Sequence, residues 1–249
     1  MSLSQTARAQ LTEGTISFET KAYIDWAVHQ HESLRPQLDA IERSDMSEEL
    51  KQAQREEAIR MYQLGKKLLQ QTIETVEVMD LVFSNGVAGA ERSLNGVREN
   101  EFTRYVFDSM SMTRHYIDQT GVHRQFSMTS PPEGAASNWS NIRHSVRIDS
   151  ADTKDILGFR CMKYYVEHTH LVKGSMEPVR SKYEMYVTDS IQLPLYLFDP
   201  VLSEKLFDGC ALEIKYFSKS ASAYSVARAT AFSRETDRSK LDLPERFKK

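Results

Sequence analysis

DTKDILGFRCMKYYVEHTH (152–170), SKYEMYVTDSIQLP (181–194) and KLFDGCALEIKY (205–216) carry the reading of the fold. Each is rich in aromatic and β-branched residues and is bounded by Gly, Pro, Asp or Ser, the composition of a strand between turns. They read as three successive strands of one antiparallel sheet.

Working outward, residues 15–28 give the cleanest strand. Ile16, Phe18, Thr20, Ala22, Ile24, Trp26 and Val28 fall on one face, and Ser17, Glu19, Lys21, Tyr23 and Asp25 on the other. A period of two predicts a sheet with one buried and one wet face. Residues 32–72 change character: Glu, Gln, Lys, Leu and Ala dominate. One helix is expected near 36–43, with Pro36 in its first turn. A longer one follows Ser47, an N-cap candidate preceding Glu48 and Glu49. Leu50, Ala53, Met61, Leu64 and Leu68 form its apolar stripe, interrupted by Glu57. Beyond it, 75–84 returns to strand and Asn85-Gly86 predicts a type I′ hairpin turn. Further strands are expected at 102–107, 112–118, 122–128, 142–148 and 224–233, with an exposed loop at 130–140.

The expected organisation is a flexible leader (1–13), a single β-rich domain (14–235) with a helical insertion (32–72), and a loose charged tail (236–249). The fold class is α+β, mostly β: a long curved antiparallel sheet, a half-barrel, with the insertion crossing one face.

Three of these segments resemble the GLPGLI family. Thr153-Lys154, Ile156, Gly158-Phe159, Cys161 and Lys163 are similar to its T-K-x-I-x-G-Y-x-C-x-K strand, and residues 183–188 to the aromatic strand that follows. Residues 206–212 sit where the family carries the Gly-Leu-Pro-Gly-Leu-Ile peptide; here one Gly is kept and the Pro is absent. Residues 13–19 resemble the opening strand, and 32–72 lie outside the resemblance. The resemblance implies an exported Gram-negative protein, periplasmic or associated with the outer envelope, with a curved sheet related to the half-barrels of lipoprotein carriers. On that view Met1-Ser2-Leu3 is an added leader in place of a removed signal peptide.

Composition narrows the function classes. A net charge of −3 gives no general attraction to nucleic acid or anionic lipid, and no apolar run reaches the roughly 18 residues of a membrane helix. Cys161 and Cys210 are expected as buried reduced thiols on strands two apart, too distant to bridge. No Gly-x-Ser-x-Gly, His-Glu-x-x-His or phosphate-binding Gly loop occurs, so no catalytic residue, metal ligand or cofactor is assigned. His29/His31 and His168/His170 are polar strand ends that, as pairs on a strand face, offer the alternative of a metal-dependent enzyme.

The aromatics remain. If the sheet curves, its concave side must be covered by the helices or by a ligand. The expected apolar groove is Phe18, Ile24, Trp26, Leu64 and Leu68. The expected function is a non-enzymatic envelope module binding an apolar small molecule, a lipid or a partner protein. The alternative is a structural envelope protein whose groove is plugged by its own helices.

Overall fold

The computed structural model describes residues 10–129, 139–172, 178–194, 197, 207, 209–217 and 222–248, without the side chains of 72, 129, 139–142 and 170–172. Among the described residues, eleven strands form one antiparallel sheet: β1 (Glu13–Ile24), β2 (Val76–Ser84), β3 (Val87–Leu94), β4 (Val97–Val106), β5 (Ser111–Ile117), β6 (His123–Thr129), β7 (Trp139–Ile156), β8 (Phe159–Val172), β9 (Val179–Thr188), β10 (Cys210–Phe217) and β11 (Ala223–Ser233). Their order is β6-β5-β4-β3-β2-β1-β11-β10-β9-β8-β7, so the first and last strands meet in the middle and β6 and β7 are open edges. The sheet is open and curved. Register shifts at Ser17/Phe18, Glu91/Ser93, Asp149/Thr153 and Ala211/Glu213 supply bends, because extra residues on one strand, from one to three here, deepen the local twist.

Tight turns set the register. Asn85-Gly86 and Asn95-Gly96 join β2 to β3 and β3 to β4, with positive φ at both positions of each turn. Leu157-Gly158 does the same between β7 and β8, at φ 54° and 81°. The stretch 152–170 is therefore two strands rather than one. Leu is an unusual first residue for such a turn, which is why the alternation reads straight through it.

β1 is shorter than its alternation predicts. Asp25 is an N-cap whose Oδ1 accepts hydrogen bonds from the backbone N–H groups of Ala27 (3.0 Å) and Val28 (3.1 Å), and these satisfy donors that a helix start leaves unpaired. Trp26 thus opens helix α1 (Trp26–Ser33), followed by α2 (Arg35–Glu42) and α3 (Glu48–Ile73). Ser47 Oγ accepts from Leu50 N–H at the start of α3. α3 turns Lys51, Arg55, Ala58, Tyr62 and Lys66 inward, while Leu50, Met61, Leu64 and Leu68 are about half exposed. The predicted apolar stripe faces solvent, not the sheet. Replacing residues 33–70 with a short Gly/Ser linker is expected to keep the β circular dichroism signal and to lower Tm by only about 2–4 °C, about 1 kcal/mol in a domain of this size. A random-coil spectrum would show that the helices are integral to the core.

The core has two clusters, the larger including β1 and the second on β8, β9 and β10. Ile16, Phe18, Leu81, Phe83, Tyr105, Cys210 and Leu212 form the larger cluster, and Tyr164, Val166, Tyr183, Met185 and Ile214 a second one. Burying each large apolar side chain contributes roughly 1.5–3 kcal/mol. The leader is tied down where it is described: Leu11 bridges Ile191, donating from its N–H to the Ser190 carbonyl at 2.8 Å.

The tail is not loose. Two short 3-10 turns, Arg238–Leu241 and Glu245–Phe247, lie on the sheet. Phe247 is 2% exposed, packed near His115 and His123. Arg246 holds Glu91 at 2.8 Å. At Gly89 a Cβ would collide with the Lys240 carbonyl, so the glycine permits the close approach. Charge composition alone hides this, because one terminal aromatic among charged residues anchors the segment.

Candidate ligand-binding hollow

Alternation on β1 and pairing across its neighbours bring one set of side chains into a hollow. Phe18 lies opposite Met79 of β2 and Ala229 of β11; Thr20 lies opposite Glu77 and Ala227. Ala227 faces Ile214, and Ser225 faces Tyr216, which in turn faces Tyr183. On the other side, Met79 faces Arg92 of β3. With Leu197 and without Ala229, these residues line a cavity of 340 Å³ that opens to solvent, within the size range of small-ligand sites.

Among the described residues that line it, two are charged. Glu77 and Arg92 pair at 2.8 Å, each about one third exposed. Behind them Tyr105 is almost fully buried; burial raises its phenol pKa, against the pull of the Arg92 guanidinium. Glu101 pairs with Arg114 on the adjacent strands. Tyr183 and Tyr216 pack ring to ring at 5.2 Å.

Of the expected groove residues, the hollow takes in Phe18 alone. Ile24 is the last residue of β1, half buried and outside the lining. Trp26 sits on α1, where Lys66 of α3 approaches its ring at 5.1 Å. Leu64 and Leu68 are 53% and 58% exposed. The helices pack against each other, leaving a smaller, open hollow of 220 Å³ lined by His29, Met61, Tyr62 and Lys66 among others. Sequence reasoning missed Met79, Arg92, Tyr183, Ile214, Tyr216 and Ala227. The alternation Glu77, Met79, Leu81, Phe83 was a readable signal for β2. The meeting of β1 with β11 was not, since no local pattern pairs the two ends of a chain.

The histidine pairs are rearranged. His29 and His31 lie on a helix, where two residues turn through about 200°; His29 packs between Trp26 and Tyr62, and His31 is exposed. His168 is 1% exposed and meets His144 across the β7–β8 pair, Nδ1 to Nδ1 at 3.3 Å; the side chain of His170 is outside the described residues. Among the described residues, no three of His, Cys, Asp and Glu converge as metal ligands do. Cys161 and Cys210 are buried free thiols on β8 and β10, with β9 between them. Burial, then the Asp155 charge, pushes the Cys161 thiol up to about 11, and burial drives Cys210 higher still. Thiols so shifted are protonated at neutral pH and are poor nucleophiles. No helix among the described residues is long and apolar enough to cross a membrane.

No protein-family model matches the chain, and no curated protein matches it. Among solved structures, one of PNGF-II aligns with 92% of this chain at 10% sequence identity and a TM-score of 0.41, and the alignment spans 30% of that longer chain.

Proposed function

We propose that this protein is a non-enzymatic module that binds an apolar small molecule or lipid in the hollow of its curved sheet. The observation that carries this reading is the cavity itself: an open 340 Å³ space floored by Phe18, Met79, Ile214, Tyr216 and Ala227, left uncovered by helices whose apolar stripe points elsewhere. Apolar surface of this kind gains free energy when a ligand displaces its water. The resemblance of the central strands to an exported family supports a periplasmic or envelope setting for that task, which fractionation of cells making the full-length gene product would test.

The uncharged dye Nile red is expected to bind the purified protein with a rise in emission. Ala227→Trp, which fills the hollow with an apolar ring and introduces no charge, is expected to weaken that binding at least about tenfold while the protein remains folded by circular dichroism. Absence of dye binding, with no co-purified ligand in native mass spectrometry, would reject the reading.

The exposed row Leu50, Met61, Leu64 and Leu68 favours a second reading, a docking surface for a partner protein. Leu64→Asp combined with Leu68→Asp separates the two: dye binding survives it if the hollow is the site.

A further inference from the structure

The charges of the hollow cancel, and we infer that its ligand is an uncharged amphiphile rather than an anionic or cationic one. The inference rests on the reading of the hollow as a ligand site and adds the chemical class of the occupant. Among the described residues lining the cavity, the charged side chains are Glu77 and Arg92, and they neutralise each other at 2.8 Å. Glu101, whose charge acts on Arg92, is itself closed in a second pair with Arg114. An entering carboxylate would meet no net positive charge. It would have to compete with Glu77 for Arg92 or leave water without compensation, and an uncompensated charge in a partly dry site is strongly disfavoured. An ammonium meets the mirror problem.

Neutral polar groups have what they need. Thr20 sits beside the Glu77–Arg92 end, opposite Glu77 in the register. Ser225, two residues along β11 from the Ala227 that pairs with Thr20, faces Tyr216 in the register. Hydroxyls both donate and accept, so Thr20 and Ser225 can hold an alcohol, ester or amide. Phe18, Met79, Ala227 and Ile214 line the same hollow and suit a hydrocarbon segment. A long-chain alcohol or a monoacylglycerol has this distribution of polar and apolar parts.

The test is displacement of Nile red from the full chain by decanol, decanoate and decyltrimethylammonium, each below its micellar concentration and at pH 8. Decanol is expected to displace the dye at a concentration at least about tenfold lower than either ion. Decanoate or the ammonium competing equally well would overturn the inference while leaving the hollow as a ligand site. Failure of Nile red to bind, or binding indifferent to Ala227→Trp, would instead remove the site and the inference together. Two charge variants read the cause directly. Glu77→Gln leaves Arg92 uncompensated and is expected to shift preference toward decanoate; Arg92→Gln is expected to shift it toward the ammonium. Both variants are checked for folding by circular dichroism, and a preference unmoved in folded variants counts against the inference.

Discussion

Phe247→Ala is expected to lower stability by about 3–5 kcal/mol, the usual cost of truncating a buried phenylalanine, and to expose residues 236–248 to protease. Phe247 is 2% exposed, with His123 at 5.5 Å and His115 at 6.2 Å between ring centroids. Phe102 closes the same pocket from β4. Urea unfolding reads the loss, and trypsin cleavage at Arg238 and Lys240 reads the release. Unchanged values for both would mean that the segment is loose after all.

The same contact depends on pH. His115 Nδ1 and His123 Nε2 are 3.2 Å apart, so one proton can be shared but two cations would repel. Burial first, and His123 second, lower the His115 pKa from its ordinary 6.5. A group whose pKa is depressed by folding favours its neutral form there. The stabilisation is therefore fully present above pH 6.5 and is lost as pH falls from that value through the lower folded one. Protease release of the tail should accelerate across that window in the wild-type chain, and His115→Gln should flatten the dependence.

Gly209→Val is expected to cost about 3 kcal/mol or more. Two effects add: φ at Gly209 is +132°, a region essentially reserved for glycine, and a Cβ there would run into the Thr188 carbonyl at the end of β9, forcing backbone apart. Cys210 pairs with Thr188 one residue later, so the collision falls where β10 joins the sheet. Gly65→Ala is the control in the opposite direction. That glycine lies inside α3 with nothing within 4 Å of a new Cβ, and the change should stabilise by about 0.5–1 kcal/mol. Thermal melts of the two variants decide it; equal behaviour would contradict the close approach at Gly209.

What the sequence determined by itself is local. Alternation in β1 places Ile16 and Phe18 on the buried face because side chains on a strand have a period of two. Asn85-Gly86 turns because both positions need positive φ, and Ser47 starts α3 because its hydroxyl meets an orphan N–H. A mostly β fold with a helical insertion follows from signals of this range. Tertiary structure decided the rest. Trp26 obeys the alternation of β1 yet belongs to α1, since the Asp25 cap outweighs a periodicity that costs nothing to abandon at a strand end. Leu64 and Leu68 make an apolar stripe, but α3 turns a face with Tyr62, Lys66 and Arg55 toward its neighbours instead. The hollow exists because β1 pairs with β11 across the length of the chain, bringing Phe18 and Thr20 beside Ala229 and Ala227. Phe247 is buried because it packs against His115 of β5 and His123 of β6, residues far from it in sequence. Contacts of that separation leave no mark on neighbouring residues, and only the folded sheet selects them.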